Sequence, residues 1–436
     1  MNTTTTRREF VQRAVWAGIG IPSLSQSVSV CDAAPQQSRS ANQKLNLAVV
    51  GVAARGGANL NGVSSENIVA LCDIDSQRLA QAAKQFPSAK TTDDFRDVLD
   101  MPNLDGVVVS TPDHMHAFVV VPALKRKLNV YCEKPLTHSV WEARQIRKLT
   151  REAGVVTQMG TQIHAGTNYR RVVEIVQAGV IGAVRRVHVW QGGGVRVGQR
   201  VASGKPPQNV NYDLWLGPAP YRPYHPSHFH FNWRYWWDFG GGQLADFGCH
   251  YMDLPFWALG LTAPTTVSAT GQKGHSGDNL CPNKMRVEYA FPARGEQPPV
   301  HLTWYHGGLK PQGADEYGKG SAVLFEGEYG RLLADYSTRK LFLQAGRKAE
   351  QVKQTIPNSI GHHQEWIHAI KTGGTTTCHF EYGGNLTESV LLGNVSYRAG
   401  QKKLEWDAAR LTATNCAEAA PLIRRKYRKG WSLDTV

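Results

Sequence analysis

Beyond residue 44 the chain opens with short runs that are apolar at consecutive positions. Leu45-Asn46-Leu47-Ala48-Val49-Val50 ends at Gly51, and Asn67-Ile68-Val69-Ala70-Leu71-Cys72 ends at Asp73. Gly106 to Thr111, Asn129 to Cys132 and Val155 to Met159 repeat the pattern. Runs this short and this uniformly apolar read as strands buried on both faces. Ala117 to Lys127 and Ser139 to Ala153 read as helices between them. The alternation predicts a doubly wound parallel sheet, with ligands at the C-terminal edges of its strands. The pattern then changes. Arg185 to Gln191, Thr265 to Gly271, Met285 to Phe291, Val300 to Tyr305 and Ala322 to Phe325 read as β runs of a second domain. Gln364 to Ile370 reads as a short helix, and Tyr382 to Trp406 as a helix and strand that return to the body.

With 436 residues, 41% hydrophobic and 19% charged, the chain can bury a core. No stretch reaches the ~20 apolar residues of a stable membrane span. The formal charge is +14, and the first 40 residues contribute only +2 of it, from Arg7, Arg8, Arg13 and Arg39 against Glu9 and Asp32. The excess is scattered, apart from Arg424, Arg425, Lys426, Arg428 and Lys429, so no nucleic-acid partner is expected. The seven cysteines show no C-x-x-C spacing, which argues against zinc ribbons and redox dithiols.

The N-terminus reads as a leader. Arg7-Arg8-Glu9-Phe10-Val11 resembles a Tat signal, and a modest apolar run from Ala14 to Leu24 follows, broken by Gly18, Gly20 and Pro22. Val30 is bulky where a lipobox before Cys31 would need a small residue. Residues 1–43 are therefore expected to be signal and spacer, and the protein to be exported folded to a periplasmic or other extracytoplasmic site.

Gly51-Val52-Ala53-Ala54-Arg55-Gly56 follows the first strand. This is a G-x-G-x-x-G bend with Ala53 in the second place, where a small residue lets backbone approach a pyrophosphate. Asp73 closes the second strand 22 residues after Gly51, near the ~20 expected of a carboxylate that binds the adenosine ribose. A free carboxylate there repels a 2′-phosphate, so NAD is expected over NADP. Two further strand edges carry polar sets, Thr111-Pro112-Asp113-His114-Met115-His116 and Glu133-Lys134-Pro135.

Those motifs, with a later Asp246-Phe247-Gly248-Cys249-His250, resemble the glucose–fructose oxidoreductase/inositol dehydrogenase (Gfo/Idh/MocA) family over residues 44–407. The resemblance implies an N-terminal Rossmann domain (44–165) and an α+β domain with an open, mostly antiparallel sheet (166–407); a basic tail (408–436) follows. It implies cofactor contacts from Gly51, Ala53, Arg55, Gly56, Asp73, Thr111, Pro112, His114, His116, Glu133 and Lys134. It places Lys134, Asp246 and His250 around the nicotinamide and the reacting carbinol, and it implies a homo-oligomer. The chemistry of the three agrees. Asp246 and His250 are i and i+4 on one helix face, with Asp253 at i+7. An imidazole suits removal of a hydroxyl proton, a carboxylate one turn away can hold its tautomer, and an ammonium can donate to the reacting oxygen. The alternative is a surface helix with a solvated Asp–His pair.

Gln162, Trp236 and His363 are candidate substrate-side residues. Trp233, Tyr235, Trp236, Trp237 and Phe239 crowd just before the helix of His250, as a carbohydrate subsite or as core. His225, His228 and His230 have no matching acid or cysteine set, and no metal is expected. The function expected is oxidation or reduction of a carbohydrate or polyol hydroxyl with tightly bound NAD. One alternative is redox-neutral glycoside cleavage through a transient keto-sugar. An exported glycosidase group of the family lacks the lysine of the Glu-Lys-Pro motif, and Lys134 argues against membership of it. The other alternative, a ligand-binding protein that keeps the dinucleotide as a structural element, would be favoured by loss of Lys134, Asp246 or His250. All three are present.

Overall fold

A computed structural model describes residues 43–193, 203–274, 279–348 and 351–434. The leader reading, from Arg7 through Cys31, lies outside them. The first sheet takes strands β1 (Asn46–Val50), β2 (Asn67–Cys72), β3 (Lys90–Thr92), β4 (Gly106–Val109), β5 (Asn129–Glu133) and β6 (Thr157–Gly160) in the order β3-β2-β1-β4-β5-β6, all parallel. Helices α1 (Arg55–Gly62), α2 (Ser76–Ala83), α3 (Phe95–Leu99), α4 (Asp113–Lys125) and α5 (Val140–Ala153) connect them. Strands β1, β4 and β5 are buried at nearly every position, as their apolar runs require. Ser139 caps α5 in a reciprocal capping box with Glu142. The α4 helix starts four residues earlier than the pattern suggests. Its first turn is polar but buried, packed beneath the second half of the chain, so the expected amphipathic boundary is missing.

The second half begins with α6 (Thr167–Gln177), β7 (Val184–Gln191), α7 (Tyr212–Leu216), α8 (Gly242–Tyr251) and α9 (Asp253–Leu259). Strands β8 (Thr266–Gln272), β9 (Lys284–Phe291), β10 (Val300–His306), β11 (Ala322–Gly327), β12 (Gly330–Ala334) and β13 (Arg339–Leu343) follow. The chain ends with α10 (His362–Thr372), α11 (Phe380–Arg398), β14 (Leu404–Asp407), β15 (Thr412–Ala413) and α12 (Ala420–Ile423). These strands form a nine-stranded sheet, β13-β12-β11-β7-β10-β9-β8-β14-β15, antiparallel except between β7 and β10. The α+β expectation holds.

Helix α11 is buried along most of its length between this sheet and α5 of the first domain. Glu388 of α11 meets Arg144 bidentately at 2.9 and 2.8 Å and Arg147 at 2.8 Å, so the seam between the halves is charged but satisfied. The tail does not stay in solvent. Arg425 donates to Glu142 at 2.8 Å, Arg424 lies over the Trp141 ring, and the Tyr427 and Trp431 rings pack edge-on against Phe118. Arg425 and Arg428 of the basic run are thus tied into the fold, whereas Arg424, Lys426 and Lys429 stay exposed. Among the described residues no helix is long and apolar enough to cross a membrane.

Candidate active site

A cavity of about 960 Å³ lies along the C-terminal edge of the parallel sheet and continues under α8. Its floor at one end is the bend after β1. Gly51 (φ +84°) and Ala54 (φ +52°) turn the chain, and a Cβ on Gly56 would stand 2.0 Å from the Gly51 carbonyl oxygen. Only glycine allows α1 to start this close to β1. Arg55 opens α1 and lines the cavity with Gly51 and Ala53. Asp73 sits against this bend. It accepts from the Val52 amide at 3.0 Å and the Asp75 amide at 3.0 Å. Burial pushes its carboxyl up, and those two amides pull it back. Replacing Asp73 by alanine is expected to weaken NAD binding on the order of 10–100-fold, the worth of a charged hydrogen bond. Titration of NADH by fluorescence, beside the unfolding midpoint of the unliganded variant, checks it.

At the next two strand edges the sequence reading is partly corrected. Thr111, Pro112, His116, Glu133 and Lys134 line the cavity. The His116 ring nitrogens reach the Thr111 and Pro135 carbonyls at 2.8 Å each, which ties the two edges together. His114 does not line the cavity. Its Nε2 meets the Trp215 carbonyl at 2.9 Å, its ring packs on Trp215 and Phe239, and burial pushes it down to about 3. It is spent on holding the segment before α8.

The substrate-side candidates are corrected as well. Gln162 donates to Glu133 at 2.6 Å and to the Tyr131 hydroxyl at 2.9 Å. His363 meets Asn59 at 3.0 Å and stacks on Tyr131. Asn59 in turn donates to Glu133 at 2.9 Å. Gln162 and His363 therefore stand behind Glu133 and orient it, off the cavity wall. Trp236 is in the core, donating to the Ser227 carbonyl at 3.2 Å. The aromatic crowd splits: Trp233 and Tyr235 line the cavity, whereas Trp236, Trp237 and Phe239 pack inside.

Lys134, Asp246 and His250 line the same cavity as the bend and Asp73. Lys134 Nζ donates to Asp246 Oδ1 at 2.6 Å and also reaches the Asp246 carbonyl. Arg234 Nε donates to the same Oδ1 at 3.2 Å. Burial alone would raise the Asp246 carboxyl, but the ammonium and the guanidinium hold it down at about 2. The expected Asp246–His250 pairing does not form, although the two are one turn apart. The carboxylate turns to the stronger cationic partners instead. Burial, aided by the Lys134 charge, pushes His250 well below its usual range, and its buried Nδ1 has no partner among the described residues. The imidazole is neutral. Asp253 is also lost from this face. The helix breaks at Met252, and Asp253 accepts from the Tyr382 hydroxyl at 2.7 Å and faces His164 at 2.9 Å.

Arg234 and Asp113 were missed by the sequence reading. Asp113 is buried at the start of α4, where burial drives its carboxyl up to about 8 against the pull of Arg234 and Lys134. Its place in Thr-Pro-Asp-His-Met-His was visible, but Arg234 had no signal beyond the aromatics around it. Together the groups offer a neutral base, a fixed ammonium and a polar rim beside a dinucleotide-shaped bend.

Comparison with known proteins places both domains in one family. The sequence model described as the oxidoreductase family's NAD-binding Rossmann fold matches residues 45–161, and that for its C-terminal alpha/beta domain matches 165–433. The inositol 2-dehydrogenase of Rubrobacter xylanophilus is 29% identical over 157 residues, 35% of this chain and 45% of that one. The chain matches less than half the length of the first curated relatives, between 36% and 45%. Among solved structures, GenD2 from gentamicin A biosynthesis, in complex with NAD, superposes with a TM-score of 0.59 at 19% identity over 86% of this chain and 99% of its own. Levoglucosan dehydrogenase in complex with NADH gives 0.58 at 17% identity over 83% and 98%. The two family models together span nearly all the described residues, and the chain belongs to the Gfo/Idh/MocA oxidoreductase family, with its NAD-binding Rossmann domain over residues 45–161.

Proposed function

We propose that this protein oxidises a secondary hydroxyl of a carbohydrate or polyol with an NAD that it keeps bound. The observation that carries this reading is the single cavity that holds the bend, Asp73, Lys134 and His250 together. Bound NAD supplies the hydride acceptor. His250, neutral and open to the cavity, takes the hydroxyl proton as the hydride leaves the same carbinol carbon. Lys134 donates to the oxygen that becomes the carbonyl, and Asp246 with Arg234 holds the ammonium in place. Curated relatives named inositol 2-dehydrogenase and a solved levoglucosan dehydrogenase support a polyhydroxylated substrate.

The Arg7-Arg8 leader supports export of the folded, loaded protein. Outside the cytoplasm no NAD pool restores an exchanging cofactor. The hydride is therefore returned to a second carbonyl compound or to the first substrate, and the cofactor ends each cycle oxidised. The experiment is direct. Protein purified without added nucleotide is denatured and the supernatant assayed for NAD, with about one per chain expected. NAD-loaded protein is then mixed with myo-inositol, aldoses and anhydrosugars, and NADH absorbance is expected to rise once per site. Absence of NAD sinks the retained-cofactor reading. Phenol released from aryl glycosides with NAD present but no net NADH would shift the reaction to redox-neutral cleavage.

A further inference from the structure

We propose that residues 203–241 form a strap over the adenosine end of the cofactor cavity, and that the C-terminal tail latches this strap through Arg428. The proposal rests on the NAD reading above and concerns how the cofactor is kept.

The strap crosses from the second domain onto the first and is fastened at three places. At the loop after β2, the Ser76 amide donates to the Asn209 carbonyl and the Asn211 amide to the Ile74 carbonyl, both at 2.8 Å. The Asn209 side chain donates to Asp75 at 2.8 Å and that of Asn211 to Asp93 at 2.9 Å. The contacts to Ile74, Asp75 and Ser76 fall within three residues of Asp73, and Asp93 lies just after the neighbouring strand β3. At the start of α4, His114 holds the Trp215 carbonyl through its ring, and its amide donates to the Phe239 carbonyl at 3.2 Å. Here the approach is so close that a Cβ on Gly217 would lie 2.1 Å from the Met115 sulfur. The third fastening is the tail. The Arg428 guanidinium donates to the Gly217 carbonyl and the Asp213 carbonyl at 2.9 Å each and pairs with the Asp213 carboxylate, while its own amide donates to the Pro218 carbonyl at 2.9 Å. The tail is itself anchored on either side of Arg428, by Arg425 on Glu142 and by Trp431 against Phe95 and Phe118.

What lies under the strap matches an adenosine. Asp73, Ile74, Arg78 and Phe95 face the cavity from below, and Leu214, His230 and Phe231 face it from the strap. Phe231 lines the cavity at 49% exposure with the Arg234 guanidinium over its ring at 4.6 Å, a cation–π pair at the edge where a purine would enter. His230 bridges back to Asp75 at 3.4 Å. A dinucleotide seated on the bend and Asp73 leaves only if the strap lifts, and lifting it breaks the Arg428 fork with the Asn209 and Asn211 bonds.

A gate and a mere binding contact differ kinetically. Loss of a contact raises dissociation alone, whereas loosening a strap that is fastened to protein on both sides raises entry and exit together. The full chain is loaded with NADH, chased with excess NAD⁺ and followed by fluorescence for dissociation; mixing unliganded protein with NADH gives association. In Arg428→Ala, and in the double variant Asn209→Ala/Asn211→Ala, both rates are expected to rise at least about tenfold, with the dissociation constant changed by less than about threefold. Lys429→Ala, one residue from the latch, is expected to stay within about twofold of wild type. If Arg428→Ala does not fold, the double variant decides. Unchanged rates, or a rise in dissociation alone, overturn the strap while leaving the NAD reading intact. A wild-type chain that binds no NADH overturns that reading and this proposal with it.

Discussion

Replacing Lys134 by alanine is expected to lower the rate of NAD reduction in the loaded protein by about 10²–10⁴-fold and to leave NAD occupancy near wild type. The ammonium is the closer of the two fixed positive charges on Asp246, at 2.6 Å against 3.2 Å for Arg234, and it lines the cavity beside His250. As a carbinol becomes a carbonyl, charge accumulates on oxygen, and a donor already in position stabilises it with little reorganisation. The variant is expected to fold, because Asp246 keeps Arg234 at 3.2 Å and is not left as a buried lone charge. Lys134→Arg is not a conservative rescue, since a planar guanidinium cannot place one donor where the compact ammonium does. Single-turnover stopped-flow on NAD-loaded protein measures the step without product release. A loss of less than about tenfold would remove Lys134 from the chemistry, the scale being that of general acid–base help.

How much of this site the sequence discloses depends on how local each feature is. The parallel strands are legible because both faces are buried, and Asp73 is legible because it ends such a strand at a fixed distance from the glycine bend. Lys134 is legible for the same reason, one residue beyond β5. The side-chain partners are not. Spacing puts Asp246 beside His250, but the carboxylate takes the ammonium of a residue 112 positions away, because an opposite charge outweighs a neutral ring. Asp253 continues the helical register on paper, yet the helix breaks and the carboxyl goes to His164 and Tyr382. Trp233 and Trp236 would share a face if the 3-10 turn ran on, but Trp236 leaves it in extended geometry, so of these two neighbours in one buried cluster only Trp233 reaches the cavity. His114 and His116 look alike in the motif, but helix geometry separates them by about 200° around α4, and only His116 faces the cavity. The strap had no periodic signature, since its order comes from contacts with β2, α4 and the tail rather than from its own pattern.

Replacing His250 by glutamine is expected to slow the same single turnover by about 10²–10⁴-fold and, beyond that, to remove the acid side of its pH profile. The sign follows from the environment. Burial and the nearby Lys134 charge both oppose a second positive charge on the ring, while Asp246 favours it less strongly, so His250 protonates only well below its usual range. Only the neutral ring can take a proton. In wild type the rate therefore does not fall through the ordinary histidine range on acidification and drops only at more acid pH. A half-loss near the unperturbed value of ~6.5 would mean that the ring is not held neutral and would defeat this account. On the alkaline side the group to watch is Asp113, whose carboxyl burial lifts to about 8 although Arg234 and Lys134 pull it down. Below that pH it is neutral. Above it, a second carboxylate joins Asp246 beside Lys134, favours the cationic oxidised nicotinamide over the neutral reduced one, and slows reduction. Asp113→Asn keeps the neutral shape at every pH, so the alkaline fall disappears while the acid limb stays. His250→Gln does the reverse, flattening the acid limb and keeping the alkaline one. Profiles that move together in the two variants would show one coupled titration in place of two separate groups.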